Sequence, residues 1–504
     1  MSISSKSEFP PPSRSPSPEI TVSPPSPTEE SDVLAGSTEV AIEPPVGSAL
    51  KNEAPQRKHT DMGWPSHDFT YLLLSEENAS AELERLSTPR ISFDGVHSAS
   101  LQPHPEKHSQ DRLIAQQWDL GERGSWRFRA VFDGHAAGDE TVDYVFSTLP
   151  HKVRLALTAL SDINVEAVSS LLRETTFAVD YSIKQGVLEL FPSPDYIEQL
   201  SNEEIQEIVN DRSTSPGLGD KADATVPSLT GPTTLTKKYA GRGTNNMKIT
   251  RAMRGTTVLI VLISPDGGMW TASLGDCQAV LGQKQTLTWT TTILSTNHNA
   301  AEPSEVARLK LEHPGEESVV ENNRVLGLIA VTRAIGDYQF KLPSIYTKRV
   351  FALTVPGMNR PGHHAQMIQD CNLTPPYVSG MPDVNYVKLD GTKACLILCS
   401  DGLLDLYGGQ DWQEKHVDIA ELCKMWVELV GERIDYRSSI PSQSSEPSEN
   451  LALFLLSQGL RGPTKTFTGN NWTDEEALNR KSSLLTLEFK DKWMDDTTVL
   501  VEVL

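Results

Sequence analysis

Lys393–Asp405 reads KACLILCSDGLLD. From Ala394 to Cys399 it is apolar at odd and even positions alike, and it is too short for a typical helix. A strand of this kind has no solvent face, so sheet must cover one side and something else the other. It runs straight into Asp401-Gly402, with Asp405 close behind. Five other stretches share its character: WRFRAVFD (126–133), TTVLIVLI (256–263), WTASLGD (270–276), CQAVLG (277–282) and TTVLVEVL (497–504). Each is short, and Gly, Asp or Asn bound them, as strands require.

Helical patterns lie between the strands. They are ETVDYVFSTLPHKVRLAL (140–157), VEAVSSLLRETTFAVDYSIKQG (165–186), EPSEVARLKLEH (302–313), DIAELCKMWVELVGERI (418–434) and ENLALFLLSQGLRG (449–462). Strands and helices interleave without a regular βαβ rhythm, which predicts an α+β fold with helices packed on antiparallel sheets. Residues 1–60 are Ser-, Pro- and Glu-rich with no hydrophobic periodicity, and are expected to be a disordered acidic tail. In it Ser15, Ser17, Ser23 and Ser26 each precede a proline, the pattern of proline-directed phosphorylation. Residues 61–504 are expected to form the folded domain, with flexible loops near 211–246 and 437–450.

The chain has 504 residues and a formal net charge of −22. That charge argues against nucleic-acid binding, which rests on clustered Lys and Arg. No run reaches the roughly 18 apolar residues a membrane helix requires. Five cysteines, widely spaced and without a CxxC pair, suggest reduced and mostly buried thiols in an intracellular protein of the cytoplasm or nucleus.

Four acids border apolar runs. Asp133 ends a strand and precedes Gly134 and His135; Asp276 lies in a Gly-Asp turn between strands; Asp401 follows the opening stretch; Asp495 precedes the last strand. Asp-Gly is also a routine turn, so no single instance decides. Together they could bring carboxylates from separate parts of the chain to one edge of a common core. Carboxylates crowded there would repel one another unless cations neutralised them. All-oxygen ligands select Mg²⁺ or Mn²⁺ over zinc. Two such ions roughly 3.5 to 4 Å apart could share a carboxylate and a water, and lower the pKa of that water toward neutrality.

The blocks VFDGHAAGDE, RGTTVLIVLI, SLGDCQAVL, LSTNHNAAEPSEVARLKLEHPGEE, RVLGLIAVTRAIGDYQFK, PPYVSGMPDV, LILCSDGLLD and WMDDTTVLV occur in that order. In this the chain resembles the type 2C (PPM) metal-dependent protein phosphatases, and within them the pyruvate dehydrogenase phosphatase-like branch, over about residues 90–504. The resemblance implies a central β-sandwich of two antiparallel sheets flanked by helices, with a metal site at one end. It implies hydrolysis of phosphoserine and phosphothreonine in a phosphoprotein substrate by a dinuclear Mg- or Mn-bound hydroxide, without a phosphoenzyme. Asp133 would bridge both ions, Gly134 would offer its carbonyl, Asp401 and Asp495 would hold the other ion, and Asp276 and Asp405 match a third, looser site. His135 matches the general acid. Arg333 and Asp337 would support the fold and the site's edge; His298 and His313 read as structural. A mitochondrial location is the alternative that the branch implies. The sequence does not indicate an oligomeric state.

There are departures from that pattern. Many members carry a Glu-Asp pair before DGH, where this chain has Gln110-Asp111. Asp111 keeps its place among the metal-site residues; Gln110 supplies no charge, which predicts weaker holding of the second ion. The departures leave an alternative, a pseudophosphatase that binds phosphoproteins without turnover.

Overall fold

The computed structural model describes residues 56–62, 67–92, 94–136, 138–212, 239, 241–357, 366, 368, 370–409, 417–439, 449–462 and 473–504. Its centre is two stacked antiparallel sheets. One has five strands, in the order Asp383–Lys388, Gly268–Leu274, Val258–Ile263, Ser125–Phe132 and Arg112–Asp119. The other has six, in the order Thr288–Ile293, Gln278–Gln285, Ala394–Cys399, Thr497–Val503, Val96–Leu101 and Arg90–Ile91. The predicted sandwich is therefore present.

Alternation along the strands explains why they are apolar throughout. Leu396 and Leu398 point between the sheets and meet Val131, Leu259, Val261 and Leu500. Cys395, Ile397 and Cys399 point the other way, against Leu422, Trp426 and Val430 of the helix Ile419–Ser439 and Leu455 of Leu451–Arg461. On the opposite sheet Val258, Ile260 and Leu262 face Val142, Val145 and Leu149 of Glu140–Ala159 and Leu172 and Val179 of Val165–Leu188. Period-two alternation thus feeds both the inter-sheet layer and the helix layers.

Buried charge crosses the sandwich at Arg129. Arg129 is fully buried; its Nε donates to Glu502 Oε2 at 2.8 Å and its Nη2 to Asp94 Oδ2 at 2.9 Å. Paired on both sides, the guanidinium escapes the cost of an isolated buried charge.

A three-stranded ribbon stands beside the sandwich, made of Ile335–Gly336, Gly255–Thr256 and Gly134–His135 in that order. It pairs Gly255 with His135 on one side and with Gly336 on the other. The residues that follow the strand Ser125–Phe132 are thereby held beside the loop at Asp337.

The expected tail ended at residue 60, but Gln56–Thr60 form a strand paired with Phe69–Leu73. Pairing with a partly buried strand whose Phe69 and Tyr71 enter the core accounts for this order. Residues 1–55, with the Ser-Pro sites, lie outside the described residues, as does most of the expected loop 211–246. Its end, from Thr244, is the first turn of a helix reaching Met253. The expected loop at 437–450 is helical through Ser439, and 440–448 lie outside the described residues. All five cysteines are free thiols, and Cys277, Cys395, Cys399 and Cys423 are buried. No described helix is long and apolar enough to cross a membrane.

Candidate metal centre

Asp133 terminates the strand Ser125–Phe132, and its backbone is clamped from the neighbouring strand. Thr257 N donates to Asp133 O at 2.9 Å, Thr256 Oγ1 donates to the same carbonyl at 3.0 Å, and Thr257 Oγ1 accepts from Asp133 N at 3.1 Å. Gly134 follows because nothing larger fits: a Cβ there would come within 2.8 Å of the Gln110 carbonyl and 2.9 Å of Val142. Asp401 leaves the strand Ala394–Cys399 at the start of the helix Gly402–Gly408. Asp276 occupies the turn between the strands Gly268–Leu274 and Gln278–Gln285, held by Asn299 Nδ2 on its Oδ2 at 2.8 Å.

These three acids converge. Asp133, Asp276 and Asp401 each offer one carboxylate oxygen, and the three oxygens lie within 4.8 Å of one another. Asp111 is buried beside them, its Oδ2 accepting from Ser400 Oγ at 2.7 Å while its Oδ1 has no hydrogen-bond partner among the described residues. Asp401 Oδ1 is likewise buried and without a hydrogen-bond partner among the described residues. Burial, then the charge of Asp496, pushes the Asp111 carboxyl up to about 7. Burial and then Asp401 raise Asp133 well above the carboxylate range; burial and then Asp276 do the same to Asp401. Asp276 is raised by burial, against the hydrogen bond from Asn299. A site with orphaned buried oxygens, mutual repulsion and only oxygen donors fits a hard divalent cation.

The other expected ligands lie farther out. Asp495 is about half exposed and its Oδ1 accepts from Lys492 Nζ at 2.8 Å, so its carboxylate stands apart from the group of three although its charge acts on Asp133 and Asp401. Asp405 sits one helical turn beyond Asp401 and also bears on it electrostatically. Gln110 turns its side chain away, donating from Nε2 to Gly138 O at 2.9 Å.

His135 Nε2 lies 2.6 Å from Asp337 Oδ2. Burial pulls the imidazole down, but the charge and hydrogen bond of Asp337 outweigh it, so its pKa is raised. His298 is buried between Asp383 and the Gly275 amide, and His313 stacks on Tyr377 at 4.3 Å. Arg333 joins Glu305 to Asp383 at the rim.

A family model for protein phosphatase 2C matches residues 195–423. A protein phosphatase 2C homolog of Schizosaccharomyces pombe is 26% identical over 443 residues, 83% of this chain and 82% of its own. Over these stretches the chain is similar to the protein phosphatase 2C family. Mitochondrial pyruvate dehydrogenase phosphatases are also similar to it over part of their length. The mitochondrial pyruvate dehydrogenase phosphatase 1 of Bos taurus is 36% identical over 171 residues, 33% of this chain. Human mitochondrial pyruvate dehydrogenase phosphatase 2 is 29% identical over 279 residues, 51% of this chain and 49% of its own. The chain spans 31% of the length of the first of these relatives.

The protein phosphatase 2C match contains Asp276, Asp401 and Asp405, while Asp111, Asp133, His135 and Asp495 lie outside it. Sequence reasoning did not find two contacts. Lys492 precedes Asp495 by three residues, a spacing that was open to local reading. Asp337 is 202 residues from His135, and nothing local links them.

Proposed function

We propose that this chain is a metal-dependent protein serine/threonine phosphatase. The convergence of Asp133, Asp276 and Asp401 carries the reading, since these three carboxylates, crowded together with Asp111, all have raised pKa values that a bound cation would relieve. Asp133, Asp401 and Asp495, with Asp111, Asp276, Asp405 and the Gly134 carbonyl, would hold two Mg²⁺ or Mn²⁺ ions and a looser third. Such ions, when bound, supply an acidified water and neutralise charge on the phosphoryl oxygens.

The chain's own residues do the rest. The clamp of Thr256 and Thr257 keeps Asp133 at one place as substrate comes and goes. Gly134 lets the backbone approach closely where a side chain would collide with Gln110 and Val142. His135, at the rim and partly exposed, donates a proton to the departing seryl or threonyl oxygen. The ligand acids and His135 are all present, and no observation favours binding without turnover.

Phosphate release from a phosphoserine peptide with and without millimolar Mn²⁺ tests this, beside Asp133→Asn. Release that needs the metal and falls at least about a hundredfold in the variant is the expected result. No release above blank by the wild-type protein would overturn it. Phosphorylated pyruvate dehydrogenase is the first protein substrate to assay, because several relatives carry that name.

A further inference from the structure

We infer that Asp337 is a positioning residue for the proton donor: it grips His135 Nε2 and turns the ring so that Nδ1 faces the departing oxygen. The inference rests on the phosphatase reading above and deepens it.

Several independent features converge on this contact. Asp337 has no exposed surface, while the His135 side chain keeps 27% of its own, so the pair joins an interior anchor to a ring at the rim. The 2.6 Å contact uses Oδ2; the other oxygen takes a longer bond, 3.3 Å, from Gln339 Nε2. Where the two side chains meet, the intervening strand carries Gly255, and a Cβ there would collide with both Asp337 Oδ2 and His135 Nε2. The contact therefore needs an empty position in the central strand of the ribbon, and the sequence supplies it.

The backbone of Asp337 is held at φ +53°, a left-handed conformation that a non-glycine residue adopts at a cost. Neighbours enforce it. Asp337 N donates to Arg254 O at 2.9 Å, and Gly336 N donates to Asp180 Oδ1 at 2.9 Å. Asp180 is itself locked by Lys341 Nζ at 2.9 Å in a buried pair. A carboxylate that only closed this loop would bond to nearby amides; this one is aimed at a side chain 202 residues away.

The chemistry explains why such a grip matters. When the bond from phosphorus to the seryl oxygen breaks, that oxygen leaves with the electron pair and takes the Nδ1 proton of His135. A water oxygen forms the new bond to phosphorus, and solvent returns a proton to the imidazole. An alkoxide is a poor leaving group and needs the proton in place; a nitrophenolate leaves without it. A ring free to rotate among rotamers would present Nδ1 only part of the time.

The test compares a phosphoserine peptide with p-nitrophenyl phosphate as substrates of the full chain, for wild type, Asp337→Ala, Asp337→Asn and His135→Ala. Asp337→Ala should lower kcat on the peptide by roughly 10- to 100-fold and on the aryl ester by less than about threefold. Asp337→Asn, which fills the same space and protects the test against misfolding, should show the same selectivity with a smaller loss. Adding Asp337→Ala to His135→Ala should cost nothing further on the peptide, because the two act as one unit. Equal losses on both substrates, or additive losses in the double variant, would show a merely structural aspartate and overturn the inference. If wild type turns over neither substrate, the phosphatase reading itself falls; if it turns over both and the variants show no selectivity, only the role of Asp337 does.

Discussion

Gln110 lies next to Asp111 at the edge of the centre. The Gln110 amide N–H donates to Asp496 Oδ2 at 2.9 Å, its carbonyl packs on Gly134, and its side chain is spent on the Gly138 carbonyl. A glutamate there has no proton for that carbonyl, so its carboxylate would be released beside Asp111. Gln110→Glu should lower the Mn²⁺ concentration for half-saturation about tenfold, measured by calorimetry with the metal alone. An unchanged isotherm would mean that residue 110 lies outside the metal's surroundings. The loss of charge at 110 was readable in the chain; the use of the amide by Gly138 was not, because it depends on a loop packing across from a separate strand.

Strands and helices were legible to different degrees. The helix expected at 140–157 spans Glu140–Ala159 and runs through Pro150, and the one expected at 165–186 spans Val165–Leu188. Helices that the apolar patterns did not predict include the two-turn Asn202–Val209, begun by a Ser201/Glu204 capping box, and Asp474–Thr486, begun by Thr473/Glu476. Their capping boxes were the available signal. The Arg129–Glu502 pair was invisible, since each residue looks like an ordinary polar interruption of its strand. Glu502→Leu removes the main partner of a fully buried guanidinium and also frees Arg127, which sits 2.8 Å from Glu502 Oε1. It should cost about 3 kcal/mol in urea unfolding, with Asp94 left as partial compensation, and Arg129→Leu added to it should recover part of the loss. A single variant as stable as wild type would show the pair to be dispensable.

For the molecule as a whole, the crowded acids link metal, protons and stability. Burial and neighbouring carboxylates raise Asp111 to about 7 and lift Asp133, Asp276 and Asp401 as well. Folded values above the unfolded carboxylate range mean that the metal-free protein binds protons more tightly than its unfolded chain. The stability contributed by the proton on Asp111 is fully present below about pH 4 and is lost as pH rises through about 7. Cations that replace the protons should restore it, by about 2.7 kcal/mol at a hundred times Kd. The rise in Tm on adding millimolar Mg²⁺ should therefore be larger at about pH 8 than at about pH 5.5, where protons compete. Equal rises at both pH values in a thermal melt would refute the linkage.

Local pattern alone determined the six most apolar strands, most long helices and the acids that end strands, because hydrophobic period and terminal turns are properties of contiguous residues. It also supplied the ordered blocks that carry the family resemblance. Tertiary structure decided which acids share a space. It gathers Asp133, Asp276 and Asp401 while Lys492 keeps Asp495 at the rim, and it sets Asp337 against His135 across the gap at Gly255. Those distances come from sheet register and ribbon pairing between segments far apart in the chain, and short-range periodicity carries no information about them.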